Sequence, residues 1–202
     1  MGETVSDIEG QAGRASRQKR ADARRNEQTL LDAAAAVFVT SGVEAPVRDI
    51  AARAGVGMGT IYRHFPTRAD LIIAVYRHQV EGLAELGAEG LEQADSPYVA
   101  LARWIDQFVD FLITKHGLAA VLQSDDPCFD PLHQYFLDRL VPVCADLLAV
   151  AQAAGQIRPD LQALELMRGV GNLCAGATSS HGFDARRLVE ILIAGLRQPV
   201  VG

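Results

Sequence analysis

Ala54-Gly-Val-Gly-Met-Gly-Thr-Ile-Tyr-Arg-His-Phe-Pro-Thr-Arg-Ala-Asp-Leu71 decides how this chain is read. Just upstream, Val47, Ile50, Ala51 and Ala54 fall at i, i+3, i+4 and i+7, the stripe of a short helix over 47–54. Pro46 stands at its first turn, where a missing N–H is harmless. Gly55-Val56-Gly57 makes a tight break, and Met58–Phe65 forms a second short helix with Ile61 and Phe65 facing a core. Pro66 stops that helix, because the residue before a proline is pushed out of the helical region. Thr67 and Asp70 have the spacing of a capping box and open a long helix to about residue 89.

Helical spacing continues in both directions. A first helix covers 21–41, with Leu30, Ala34, Val37 and Phe38 on one face and Gly42 closing it. Residues 1–20, rich in Gly, Ser, Gln and Arg, are expected to form a mobile arm. Ser96-Pro97 opens a helix to about 115 that Gly117 ends, and 124–131 is a loop. A helix over 132–154, kinked at Pro142, is capped by Gly155. Asp160 opens a helix to about 178, and Asp184 opens the last, to about 197. No strict period-two alternation and no internal repeat occurs, so the expectation is an all-α chain of about nine helices.

Composition narrows the function classes. Of 202 residues, 49% are hydrophobic and 22% charged, which excludes wholesale disorder. The longest apolar stretches, Ala33–Val39 and Leu71–Tyr76, are far too short to span a bilayer, and no secretory leader is evident. Cys128, Cys144 and Cys174 form no CxxC, against a disulfide framework. The expectation is a soluble cytoplasmic protein that does not engage a membrane. The net charge of −6 is unevenly spread. Residues 1–78 hold 11 Lys/Arg against 9 Asp/Glu, whereas residues 79–202 hold 8 against 16. Arg14, Arg17, Lys19, Arg20, Arg24 and Arg25 crowd one short stretch. A basic end on an acidic body suggests that only the N-terminal part meets a polyanion; an inert solubilising tail is the alternative.

Two short helices joined by a glycine turn, after a longer helix, make a helix-turn-helix unit. Its first helix braces the second, whose side chains enter the major groove of DNA. Thr60, Tyr62, Arg63 and His64 are free to face outward, and Gly55, Gly57 and Gly59 let the backbone approach a sugar-phosphate wall. Residues 25–71 strongly resemble the DNA-binding domain of the tetracycline-repressor (TetR) family of bacterial regulators. The most telling string is Gly59-Thr-Ile-Tyr-Arg-His-Phe-Pro-Thr-Arg-Ala-Asp-Leu71. The resemblance implies that Tyr62 and His64 bond phosphates and that Arg68 grips another at the start of the next helix. It places Gly57, Met58, Gly59, Thr60 and Arg63 near base edges, with Arg48 and Thr67 completing the DNA-facing set. Two departures stand out. Gly57 replaces a common Ser or Thr, and Ala45-Pro46 stand where a Thr or Ser often starts the second helix.

The expected organisation is a basic arm over 1–20, read from composition, with the family implying a DNA-binding domain over 21–70 and an effector-binding and dimerisation domain over 71–202. Trp104, Phe108 and Phe111 form one aromatic face, which is either ordinary core or the lining of an effector pocket. Gln107, His116, Tyr135 and Asn172 are candidate polar groups for that pocket. In the last helix Leu188, Leu192 and Gly195 mark one apolar face, and Val189, Ile193 and Leu196 another beside it. So wide an apolar arc suits burial on two sides. Gly169, Gly171, Ala175, Gly176 and Ala177 allow close helix approach, and the family implies a homodimer. The Trp-containing middle helix and Ala151-Gln-Ala-Ala-Gly-Gln-Ile-Arg158 look similar to actinobacterial regulators.

No metal or cofactor is expected. His78, His116, His133 and His181 lack metal spacing, and Cys128 with His133 is a lone pair. No GxSxG, Walker A or Rossmann string occurs. The reading is a homodimeric repressor that binds a pseudo-palindromic operator in double-stranded DNA and is released by a small-molecule effector. An activator, an effector-independent DNA-binding protein and a small all-α enzyme are the alternatives. For the enzyme, no convergent acid, base or nucleophile is found.

Overall fold

The computed structural model describes residues 4–114, 129–176 and 184–197. Among these described residues lie eight helices: α1 Thr4–Ser41, α2 Val47–Ala54, α3 Met58–His64, α4 Arg68–Gln93, α5 Pro97–Thr114, α6 Asp130–Ala153, α7 Ala163–Gly176 and α8 Ala185–Gly195. The expected all-α class is found. One difference lies at the start, where α1 begins at Thr4 rather than near residue 21. Arg, Ala, Gln and Lys fill much of 12–25 with no proline, and such residues cost little in a helix. Gly117, Cys128, His116 and His181 lie outside the described residues.

Two compact units form, Met1–Val75 and Tyr76–Gly202, with the division inside α4. In the first, Leu30, Ala34, Val37 and Phe38 of α1 are buried with Ile50, Ala51, Ile61, Phe65, Leu71 and Val75. Helices of eight and seven residues are marginal alone, so α2 and α3 exist because Ile50 and Ile61 are fixed in that core. Each such burial contributes about 1.5–3 kcal/mol.

Local signals behave as their chemistry dictates. Gly42, Gly55 and Gly155 take positive φ of 77°, 68° and 67° at helix ends, where a side chain would be strained. The Thr67 N–H and hydroxyl donate to Asp70 Oδ2 at 2.9 and 2.7 Å, and the Asp70 N–H returns a bond to Thr67 Oγ1 at 3.1 Å. These bonds hold the Asp70 carboxyl below its ordinary pKa. Asp184 caps α8 by accepting from the Arg187 N–H at 3.0 Å. Asp160 does not open α7: its carboxylate pairs with Arg158, and Glu165 accepts from the Gln162 N–H at the helix start. Pro46 precedes α2 as its N-cap instead of occupying its first turn.

In the second unit α5 packs on α6, α7 and α8, and α7 packs on α6 and α8. The α8 end is tied to the α6–α7 connection by a bridge between Ile157 and Arg197. α4 runs on to Gln93 despite Gly82, Gly87 and Gly90. Gly87 has a packing reason: a Cβ there would stand 2.1 Å from Val143 Cγ1 and 3.2 Å from Trp104 Cδ1. The indole N–H of Trp104 donates to the Leu83 carbonyl, one turn earlier, at 2.9 Å.

Candidate nucleic-acid interface

The Gly55 turn sets the direction of α3. After α2, the Val56 N–H donates to Ala51 O at 3.0 Å and the Gly55 N–H to Ala52 O at 3.4 Å, the bonding of a glycine-closed helix end. Gly57 then caps α3 in extended conformation without a side-chain bond, and its carbonyl accepts from the Thr60 N–H at 2.9 Å. Phe65 ends the helix before Pro66 at φ −130°.

Ile61 and Phe65 are buried, and most of the remaining α3 side chains stand in solvent. Met58 and Tyr62 are each 51% exposed. Arg63 and His64 are exposed beside them, and Thr60 is half-buried. Thr60 and His64 border a surface cleft of about 840 Å³, including open solvent, between the α2–α3 turn and Asn26, Glu27 and Leu30 of α1. A Cβ on Gly57 or Gly59 would meet nothing within 4 Å, so this backbone is open to close approach by another surface. Arg48, on α2, is exposed and 3.5 Å from Asp49. Arg17, Lys19, Arg24 and Arg25 are exposed along α1, with Arg25 paired to Asp22. The exposed residues of this unit thus include hydrogen-bond donors, cations and bare backbone, the equipment for a phosphate-lined groove.

Thr67 and Arg68 are both engaged within the chain. The Thr67 hydroxyl is engaged with Asp70 in the cap. Arg68 turns toward the α1–α2 turn, donating to the carbonyls of Val43 and Ala45. Its backbone position gave no warning of this, because the acceptors lie more than twenty residues earlier.

In the second unit the aromatic face becomes a stack. Trp104 and Phe108 have centroids 5.6 Å apart, Phe108 and Phe111 6.4 Å, and Phe111 and Phe136 5.9 Å with planes 5° apart. All three α5 rings are buried. Gln107 and Asn172 are exposed instead, with Gln107 bordering a groove beside Trp104, Leu86 and Gly90. Tyr135 is half-buried, its hydroxyl donating to Glu81 and its ring under the Arg77 guanidinium at 5.0 Å. Arg139 also donates to Glu81, at 2.7 Å through Nε, and lowers the Glu81 pKa. Sequence reasoning missed Glu81, Arg77 and Arg139, since nothing local marks a contact between α4 and α6. Cys174 and Cys144 are buried, the latter with its thiol pushed up to about 12 by burial, as suits inert core thiols.

The two faces of α8 have opposite fates. Val189, Ile193 and Leu196 are already buried within the chain, at 4%, 5% and 8% exposure. Leu192 is half-buried, whereas Leu188 and Ile191 are exposed at 36% and 58%. Three of the residues expected to meet a partner are therefore core, because α8 packs on α5 and α7 through that side. Ile191, which the sequence reading passed over, stands outside. Gly176 lies at the end of α7. Among the described residues no group of His, Cys, Asp or Glu is placed to hold a metal ion, and no helix is long and apolar enough to cross a membrane.

Comparison with known proteins agrees with this geometry. Residues 30–75 match the family described as bacterial regulatory proteins, tetR family, and residues 96–198 match the SbtR-like transcriptional regulator C-terminal domain. The chain is 30% identical over 145 residues to the HTH-type transcriptional repressor KstR2 of Mycolicibacterium smegmatis, covering 68% of this chain and 69% of that protein. It is similar to the crystal structure of a TetR transcriptional regulator from Streptomyces coelicolor at 32% identity, covering 86% of this chain and 99% of that one with a TM-score of 0.72. A TetR transcription regulatory protein from Mycobacterium vanbaalenii is similar at 30% identity, 89% and 99% coverage and a TM-score of 0.71. With a braced α3 presenting its polar face on one unit and a helical second domain on the other, the chain belongs to the TetR family of ligand-responsive, DNA-binding transcriptional regulators.

Proposed function

We propose that this regulator is a cytoplasmic repressor that binds a pseudo-palindromic operator as a homodimer through α3 and leaves it when a small molecule occupies the second unit. The observation that carries the reading is the exposure of Met58, Tyr62, Arg63 and His64 on a short helix fixed to the core by the buried Ile61 and Phe65. Tyr62 and His64 donate to phosphates; Met58, Thr60, Arg63 and the open glycines Gly57 and Gly59 face base edges. Arg48, exposed on α2, adds a cation to the same unit, and the basic stretch of α1 adds others. The name of the KstR2 relative, a repressor, supports the sign of regulation.

The dimer contact in this proposal uses Leu188 and Ile191, flanked by Leu192 and Gly195, together with the small residues of α7 up to Gly176. Two such subunits place two α3 helices about 34 Å apart, one turn of DNA. The effector lies against the Trp104, Phe108 and Phe111 stack, with Tyr135 at its polar edge and Gln107 and Asn172 outside. α4 starts in the DNA-binding unit and ends in the other, so a ligand that shifts it alters α3 spacing. The ligand must bind the DNA-incompetent state more tightly, or it shifts nothing.

Selection of duplexes from a random pool, followed by footprinting, tests this reading. Enrichment of an inverted repeat, lost on Arg63→Ala, is expected. Retention of the same preference without Arg63 would remove α3 from the base-reading role. A thermal-shift screen of small molecules then tests the effector, with stabilised hits expected to release the selected duplex.

A further inference from the structure

Four ring pairs in the second unit are close to parallel. Trp104 and Phe108 are inclined by 13°, Phe108 and Phe136 by 28°, Phe111 and Phe136 by 5°, and His133 and Phe136 by 19°. Aromatic side chains pack edge-to-face or offset-stacked, and these four pairs are all of the stacked kind. The row starts among buried rings, Trp104 and Phe108, and ends on half-buried Phe136 and exposed His133. A flat group from outside the chain can extend the row at that end.

A charged cluster stands beside the same stretch of α6. Glu81 of α4 accepts from the Tyr135 hydroxyl and from Arg139, through Nε at 2.7 Å and also through Nη2. Arg77, one turn earlier on α4, has no share in that carboxylate. Its guanidinium lies over the Tyr135 ring, 5.0 Å from the centroid, and among the described residues it makes no ion pair. Two cations thus face one anion, in a part of the chain where residues 79–202 hold 8 Lys/Arg against 16 Asp/Glu. An excess of positive charge in such an acidic stretch favours an anion that the chain itself does not supply.

We infer that the effector of the second unit is a flat aromatic carboxylic acid, with its ring on Phe136 and His133 and its carboxylate on Arg77. The inference rests on the reading of the ring stack as the effector site. A guanidinium matches a carboxylate through two parallel N–H donors, and the Tyr135 ring holds this one in place beforehand. A neutral ring would stack but leave Arg77 unused, and a cationic one would meet Arg77 and Arg139 with like charge. Because Arg77 belongs to α4, the acid acts on the helix that begins in the DNA-binding unit.

The experiment uses the full chain with 2-naphthoate and its neutral amide, 2-naphthamide, followed by calorimetry and by quenching of Trp104, the single tryptophan. Saturable binding of 2-naphthoate is expected, with the amide about 10-fold weaker because it cannot pair with a guanidinium. Arg77→Gln should weaken 2-naphthoate about 5-fold and leave the amide unchanged, since an exposed pair contributes modestly. Arg103→Gln removes an exposed cation of α5 and should change neither ligand. Arg77→Lys keeps the charge without the fork and should fall between wild type and Arg77→Gln. Absence of saturable 2-naphthoate binding, equal affinity for acid and amide, or equal losses in Arg77→Gln and Arg103→Gln would overturn the inference. If 2-naphthoate binds as expected but leaves a duplex selected by the wild type in place, the acid site stands and the effector reading fails. If the wild type selects no duplex, the DNA-binding reading fails separately, and the comparison of acid with amide still decides the site.

Discussion

α3 and α8 are short helices that each bury one side and show hydrophobic surface on the other, yet the two exposed sides have different chemistry. On α3, Met58 and Tyr62 stand among Thr60, Arg63 and His64 with bare glycine backbone before them. On α8, Leu188 and Ile191 are aliphatic and offer no donors. A surface of donors and cations suits a polyanion that supplies acceptors everywhere. A surface of aliphatic side chains gains only by meeting another apolar surface, which another helix supplies. The lesson is that exposure alone assigns no partner. The groups around the exposed residue do.

The sharpest way to break this contrast is to place a carboxylate on each side of α8. Ile193→Asp buries an unpaired charge and should destabilise the second unit by roughly 3–5 kcal/mol, seen as a collapse of the unfolding midpoint. Ile191→Asp should leave the fold intact, convert dimers to monomers in sedimentation, and lower operator affinity by about 10²–10⁴-fold as bivalency is lost. A folded, dimeric Ile191→Asp with normal operator binding would mean that this face is not the interface.

On α3 the corresponding change is gentler. Tyr62→Phe removes a hydroxyl and keeps the ring, so affinity should fall about 10-fold on every duplex alike, the scale of one charge-assisted hydrogen bond. A changed base preference in a binding titration would instead make Tyr62 a base reader. Smaller still is the response of two glycines in α4. Gly87→Ala drives a Cβ into Val143 and should cost about 1–2 kcal/mol net. Gly90→Ala, with open space around it, should stabilise by up to about 1 kcal/mol through helix propensity. Thermal unfolding of both variants checks the pair, and equal responses would contradict the close approach at Gly87.

The smallest effect concerns the Thr67–Asp70 cap at the start of α4. The folded-state pKa of Asp70 is lowered by its bonds from Thr67, so its contribution is complete above the ordinary carboxylate value. It is lost as pH falls through the lowered value. Asp70→Asn should therefore narrow the stability difference between neutral and acidic pH by a small margin, read from urea midpoints. An unchanged profile would show that the cap contributes nothing in solution.

The parts of the molecule legible in sequence are those in which cause and effect lie within one turn of chain. Gly55 and Gly155 needed positive φ, Pro66 ended α3, Thr67 met Asp70, and Asp184 capped α8; each is a neighbour acting on a neighbour. The periodicity of Ile50, Ile61 and Phe65 similarly sufficed to separate the buried side of the motif from its exposed side. Asp160 misled because a nearby arginine, Arg158, took its carboxylate before the helix could.

What the amino-acid order determined by itself was therefore the helical class, the helix-turn-helix and the side of α3 that faces out, since local dihedral preference and period 3.6 encode them directly. Tertiary structure alone decided which of two adjacent apolar faces of α8 became core, why Gly87 has no side chain, and which helices Glu81 and Arg139 join. It also decided where Arg68 points. A stripe of periodic residues states that a face is apolar, but the helix that covers it arrives from elsewhere in the chain. A long, flexible guanidinium goes to whichever acceptors folding brings within its reach, and the carbonyls of Val43 and Ala45 reached it first.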